Sequence, residues 1–167
     1  MKIETIEKIL NFLEEKEGHE IPEDWSFAKE KLKLIEELEN HPDGVQYKYG
    51  ADLDLSGSSI KKLPNKLYVI GDLNLFSSNI TKLPNDLYVD GSLYLIETGI
   101  TELPDNLYVG DRLILRGCTQ LSKLPDNLYV GGDLHVYGTP LANKYSNDEI
   151  RDMIISTGGE IKGEIYR

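Results

Sequence analysis

The apolar positions of this chain keep three different periods. Up to about residue 40 the spacing is helical: Ile3, Ile6, Ile9, Leu10 and Leu13 share one face, and Phe27, Leu34, Ile35 and Leu38 share another. Gly18 is placed to end the first helix. Pro22 and Ser26 lead into the second, and Asn40-His41-Pro42-Asp43-Gly44 closes it. From residue 45 the pattern turns to strand alternation carried on a repeat. LDLSGSSIKKLPNKLYVIGD begins at Leu53, LNLFSSNITKLPNDLYVDGS at Leu73 and LYLIETGITELPDNLYVGDR at Leu93. LILRGCTQLSKLPDNLYVGGD follows at Leu113, and a truncated LHVYGTPLANKY starts at Leu134. Tyr47-Lys48-Tyr49-Gly50-Ala51-Asp52 matches the second half of a unit, so the repeat starts half a unit early. Beyond it, Ser146-Asn147-Asp148-Glu149 reads as a capping box opening a helix through Ile155. Gly158-Gly159 stops that helix, and Ile161 to Tyr166 alternates like a strand.

The spacing is 20, 20, 20 and 21 residues, with the extra residue between Leu115 and Leu121. Each unit reads L-x-L-x-x-(Ser/Thr/Cys)-x-(Ile/Leu)-x-x-L-P-x-x-L-Tyr-V-x-G-x, except that Asp111 stands at the Gly position of the third. Six apolar residues such as Leu73, Leu75, Ile80, Leu83, Leu87 and Val89 cannot offset the entropy of ordering a whole unit alone. Stacked units share strand hydrogen bonds and exclude water from both sides of each layer, so the pattern predicts a stack. Pro64, Pro84, Pro104 and Pro125 disfavour helix on the return path. Gly71, Gly91 and Gly132 suit a tight bend before the next strand, and the bend at Asp111 is expected to differ. Open ends would expose apolar surface, so both need covers. The expected plan is an α/β repeat solenoid: a helical amino-terminal cap over 1–44, a parallel β-stack over 45–145 and a small αβ cap over 146–167.

The repeat resembles the leucine-rich repeat, closest to the short units with a Leu-Pro step found in some bacterial secreted effectors. Ser58, Ser78, Thr98, Cys118 and Thr139 hold the position that is Asn or Cys in that family. Val with an intervening Gly replaces the usual leading Leu, which leaves open a flatter β-solenoid with two short strands per turn. The ending TPLANKYSNDEIRDMI…GGEIKGEIY is also similar to that of repeat proteins carried by tailed phages and prophages. That likeness implies a host protein, such as a defence enzyme, as the partner, and no activity. The effector ligases with similar repeats carry a separate catalytic domain, for which the tail after Tyr145 is too short.

Composition narrows the chemistry. The net charge of −11 argues against direct binding to nucleic acid or anionic lipid, and residues 1–50 hold 13 acidic against 7 basic side chains. One cysteine excludes a disulfide framework. MKIETIEKIL lacks the apolar stretch of a signal peptide, and the expectation is a cytoplasmic chain. Cys118 sits on a repeat position, where a small buried polar group explains it better than a nucleophile. His19, His41 and His135 lie apart, without metal-binding spacing. Asp86, Asp105 and Asp126 recur as turn residues do. The glycines follow the rungs and fit no phosphate or dinucleotide motif. No catalytic constellation assembles, and no enzyme, metal or cofactor is expected.

Comparing the copies separates positions dictated by the core from positions free to serve a ligand. Tyr68, Tyr88, Tyr108 and Tyr129 repeat between inward Leu and Val, which predicts a stacked outward column. The outward positions of the other strand vary: Asp54 and Ser56, Asn74 and Phe76, Tyr94 and Ile96, Ile114 and Arg116, His135 and Tyr137. They turn apolar and aromatic where the period predicts exposure. The expected binding residues are therefore Phe76, Tyr94, Ile96, Ile114, Arg116, His135 and Tyr137, on a non-enzymatic protein-binding module. In leucine-rich repeats this strand face is the ligand surface, so the resemblance points to the same residues. Cover by the helical cap or by a second copy, giving a homodimer, is the plainer alternative. A rival function is an acidic nucleic-acid mimic acting through Glu14, Glu15, Glu36 and Glu37 of the helical cap.

Overall fold

The computed structural model describes residues 26–167; the first predicted helix, with Ile3, Ile6, Ile9, Leu10 and Leu13, lies outside the described residues, as do Glu14, Glu15 and His19. Each repeat unit supplies two short strands, because both Leu-Tyr-Val and Leu-x-Leu alternate inward and outward residues. After helix α1 (Ser26–Glu39) come β1 (Tyr47–Tyr49), β2 (Leu53–Asp54), β3 (Leu67–Val69), β4 (Leu73–Asn74), β5 (Tyr88–Val89) and β6 (Leu93–Tyr94). Next are β7 (Tyr108–Val109), β8 (Leu113–Ile114), β9 (Tyr129–Val130) and β10 (Leu134–His135). The chain ends with α2 (Pro140–Lys144), α3 (Asn147–Ser156), β11 (Glu160–Ile161) and β12 (Ile165–Tyr166).

The strands form a β-solenoid. Odd-numbered strands β1 to β11 make one six-stranded parallel sheet, and β2, β4, β6, β8, β10 and β12 make a second. The register advances by one unit per rung, so that Leu73 faces Leu93 and Tyr88 faces Tyr108. Identical residues thereby stack into columns. Leu53, Leu73, Leu93, Leu113 and Leu134, with Val69, Val89, Val109 and Val130, fill the interior between the sheets. The extra residue of the fourth unit is absorbed by a turn in which the Leu121 N–H donates to the Cys118 carbonyl at 3.1 Å. Pairing on either side of it keeps step.

The corners give the glycines a reason that the sequence pattern did not supply. Gly71 and Gly91 are not at positive φ, so no left-handed bend demands them. A Cβ at Gly71 would run into Asp52 Oδ1 and lie 2.6 Å from the Asp52 backbone nitrogen, and one at Gly91 would run into Asp72 Oδ1 and lie 2.8 Å from the Gly71 carbonyl carbon. Those carboxylates accept the backbone N–H of Asp72 (2.9 Å) and of Ser92 (2.7 Å) in the following rung. Asp111 can stand at the glycine position because the preceding rung carries the shorter Ser92, whose hydroxyl donates to Asp111 Oδ2 at 3.1 Å. The left-handed residues lie in the turns instead, at Lys66, Asp86, Asn106 and Asn127 before the first sheet. After the second sheet they are Gly57, Ser77, Glu97, Gly117 and Gly138.

Both ends of the described stack are covered. α1 buries Ile35 and Leu38 against the first rung, and its Lys31, itself buried, donates to the Ser56 carbonyl at 3.0 Å. At the other end, Thr139 caps α2 with Pro140 in its first turn, a short helix absent from the repeat-based expectation. Ser146 and Glu149 form the expected capping box of α3. β11 and β12 then add a sixth rung to both sheets. Inward residues of each rung bond forward, as the Asp90 N–H to Val69 carbonyl bond shows, so the last rung has forward carbonyls with no following strand. α3 supplies the donors: Arg151 reaches the Ile161 and Gly163 carbonyls at 3.0 and 2.8 Å, and Asn147 reaches that of Ile165 at 2.7 Å.

Candidate functional site

The two outward faces differ. On the first sheet the rings of Tyr68, Tyr88, Tyr108 and Tyr129 stack at centroid separations of 4.4, 4.2 and 4.6 Å, within 5° of parallel. Lys48 lies over the Tyr68 ring at 5.3 Å and Lys162 over the Tyr129 ring at 5.4 Å, so each terminal ring face meets an ammonium group. A hydrogen bond with Tyr108, together with burial, pushes the Tyr88 phenol above the usual tyrosine range. These rings are half-buried and stacked on one another, and the Tyr88 hydroxyl also donates to Asp90 Oδ1 at 3.4 Å.

The second sheet's outward face carries every residue expected to bind. Register aligns Asp54, Asn74, Tyr94, Ile114 and His135 in one column and extends it to Tyr166. A second column runs beside it. The N–H groups of Gly57, Ser77, Glu97 and Gly117 donate to the carbonyls of Phe76, Ile96, Arg116 and Tyr137, holding Ser56 and those four in line. Phe76 is 41% exposed, Tyr137 62% and Tyr166 48%, while Tyr94, Ile96, Ile114 and His135 are half-buried by their neighbours along the columns. His135 stacks on Tyr166 at 4.6 Å, and the Arg116 guanidinium lies 5.8 Å from the Tyr137 ring centre. Tyr166 was missed as a site residue, although its strand was expected: two helices separate it from the repeat, so it falls out of the 20-residue frame.

Polar groups mark the face's amino-terminal end. Asp54 Oδ1 lies 3.6 Å from Lys31 Nζ and accepts the Ser56 N–H at 2.9 Å. Burial alone would raise the Asp54 carboxyl, but the hydrogen bonds from Ser56 and the Lys31 charge hold it below the ordinary range. The Tyr94 hydroxyl reaches Asp72 Oδ2 at 3.4 Å. Glu97, Arg116 and Asn74 complete a polar rim around an apolar centre.

Other candidates are accounted for by structure. Cys118 is fully buried, with its thiol donating to the Leu95 carbonyl at 3.0 Å; burial pushes its pKa up despite hydrogen bonding with Thr98. It belongs to an internal column in which Ser58, Thr98 and Thr139 each donate to the carbonyl three residues back. His41 packs its ring edge-on to Tyr47. Glu37 of α1 accepts the Tyr47 hydroxyl at 2.7 Å, while burial and this bond push that phenol up to about 12. Asp86 occupies a left-handed turn position, and Asp105 Oδ1 accepts the Asp126 N–H. Among the described residues no cluster of three His, Cys, Asp or Glu side chains is disposed to hold a metal ion. No described helix is long and apolar enough to cross a membrane.

A polar groove of about 350 Å³ on the Leu-Pro side is lined by Lys82, Glu102, Pro104, Asp105, Lys123 and Asp126. Its principal contact is the exposed Lys82–Glu102 ion pair at 2.9 Å, and no titratable group in it is shielded from water. It lacks the buried convergent groups of a catalytic cleft. Compared with protein-family models, with characterised proteins and with solved structures, the chain matches none. The fold therefore stands on its own geometry: over the described residues, a two-sheet β-solenoid with one face occupied by its own stacked rings and one whose Phe76, Tyr137 and Tyr166 are exposed.

Proposed function

We propose that this chain is a non-enzymatic protein-binding module whose contact surface is the outward face of the second sheet. One observation carries the reading: this is the outward face on which the copies differ, and its differences place Phe76, Tyr94, Ile96, Ile114, Arg116, His135, Tyr137 and now Tyr166 where a uniform solenoid would place polar residues. Aromatic and arginine side chains are the usual anchors of protein interfaces. The resemblance to leucine-rich repeats supports the same surface. The likeness to phage-borne proteins makes a host protein, inhibited or modulated by the contact, the first partner to seek. Cytoplasmic encounter with that partner belongs to the same proposal.

Retention of host-lysate proteins on the tagged chain at low and high salt tests it. The control is a Tyr94→Asp/Ile114→Asp variant whose fold is verified by circular dichroism. The expected outcome is a partner that survives high salt on the wild type and drops at least about tenfold on the variant, as loss of central anchors does. A partner held equally by both chains and washed off by salt would overturn the reading. That result would move the contact to the acidic cap and favour nucleic-acid mimicry through residues such as Glu36 and Glu37.

A further inference from the structure

We infer that the second sheet's face docks on the same face of a second copy, with the rungs running in opposite directions. The inference rests on the reading of that face as a protein-contact surface, and it names an occupant. A symmetric pair needs a patch complementary to itself under a two-fold rotation. This face has that property, because its polar and aromatic ends are unlike. The amino-terminal end presents Asp54, Ser56 and Asn74; the carboxyl-terminal end presents Arg116, His135, Tyr137 and Tyr166.

For two such faces, a two-fold axis parallel to the strands reverses rung order and leaves each column opposite itself. Only an axis between the third and fourth rungs overlaps all six. That placement sets Tyr94 of each copy on Ile114 of the other, and Phe76 on Tyr137, so four apolar pairs form from two. Asn74 meets His135, and Asp54 meets the Tyr166 hydroxyl. Ile96 meets the Arg116 stem, with Glu97 one turn position away from that guanidinium. Within the two columns no like charges are opposed. A strip two residues wide is small beside the roughly 800 Å² per partner of a standard interface, so association is expected only from about the ten-micromolar range upward.

Sedimentation velocity from about 5 to about 500 µM reads the equilibrium directly, across the range that such a small interface implies. Wild type is expected to pass from monomer to dimer, and the Tyr94→Asp/Ile114→Asp variant to remain monomeric. Orientation is read by mixing a Phe76→Cys chain with a Tyr137→Cys chain under oxidised glutathione. Within one chain these positions lie three rungs, about 14 Å, apart, beyond the roughly 7 Å that a disulfide tolerates. The buried Cys118 stays out of the exchange. The mixture is expected to give a cross-linked pair at least about tenfold more abundant than either variant alone, the ratio that selective opposition of these two positions requires. Wild type monomeric throughout, a dimer that persists in the double-aspartate variant, or equal cross-linking in the separate samples each overturns the inference. If wild type stays monomeric while that variant loses the lysate partner, only self-docking falls. If the variant keeps the lysate partner as well, the face itself is not the contact surface.

Discussion

The two faces of the solenoid are built from the same rungs over the same core, yet they spend their outward positions differently. On the first sheet the outward residue is Tyr in four successive rungs, and the rings satisfy one another in a stack closed by Lys48 and Lys162. On the second sheet the outward residues change at every rung, and two of the aromatic ones, Phe76 and Tyr137, are among the exposed large apolar side chains of the described chain. Repetition marks positions whose neighbours lie within the fold. Variation marks positions free of that constraint, and the proposed contact surface is what would account for apolar character there. The comparison is sharpest at the corners joining the sheets, where even a departure from repetition is paired: Asp111 occurs where Ser92 precedes it.

That pairing gives the largest expected effect. Gly91→Asp alone drives a Cβ into Asp72 Oδ1 and to 2.8 Å from the Gly71 carbonyl carbon, and sets two carboxylates together. It is expected to lower stability by about 2–4 kcal/mol. Asp72→Ser combined with Gly91→Asp copies the native Ser92–Asp111 arrangement one rung earlier and should recover the carboxylate part of the loss, leaving the part due to the Gly71 backbone. Urea unfolding of wild type, both single variants and the double variant measures the coupling. Simple additivity of the two changes would show that the corner is not governed by this contact.

The next effect contrasts the faces themselves. Tyr108→Ala removes a ring stacked on both sides; at about 0.5–1.5 kcal/mol per aromatic pair plus lost burial, a total near 2–3 kcal/mol is expected. Phe76→Ser and Tyr137→Ser, on exposed positions of the other sheet, should each change stability by about 1 kcal/mol or less. The same denaturant midpoints decide it. Equal losses on the two faces would erase the distinction between a structural column and a free one.

The stack was legible in the sequence because its cause is local and repeated: Leu and Val recur wherever a side chain points inward. The caps were legible for a similar reason, since helical spacing at Leu34, Ile35 and Leu38 and the Ser146 capping box are short-range signals. The two-strand cross-section stayed open, because alternation identifies a strand without saying how the chain turns between strands. The glycines illustrate the limit. Their spacing was plain, but a clash with the preceding rung's Asp and backbone exists only once the rungs are stacked. Tyr166 lies outside the repeat frame for a comparable reason, since α2 and α3 interrupt the count while the sheet continues through space. For the candidate face, variation among the copies named the residues, and the structure added their columns, their exposure and their rim.

The smallest expected effect sits in the turns that lead into and out of the two sheets. Before the first sheet the left-handed position holds Asp86, Asn106 and Asn127, residue types that tolerate positive φ, but Lys66 in the first unit, at φ 58°. Lys66→Asn should therefore stabilise the chain by up to about 0.5–1 kcal/mol, because asparagine adopts that conformation with less strain and the side-chain bond given up is the long, exposed one from Lys66 Nζ to the Gly44 carbonyl at 3.5 Å. After the second sheet the equivalent position is Gly57, Gly117 or Gly138, with Ser77 and Glu97 in the two rungs between. Glu97→Gly should relieve a similar strain at φ 55°, but glycine also gains freedom in the unfolded chain, so the net change should stay within about 0.5 kcal/mol. Unfolding midpoints of the two variants, measured side by side, check the order. A clear gain from Glu97→Gly with none from Lys66→Asn would mean that backbone strain is concentrated at the rim of the variable face instead of being a residue of imperfect repetition.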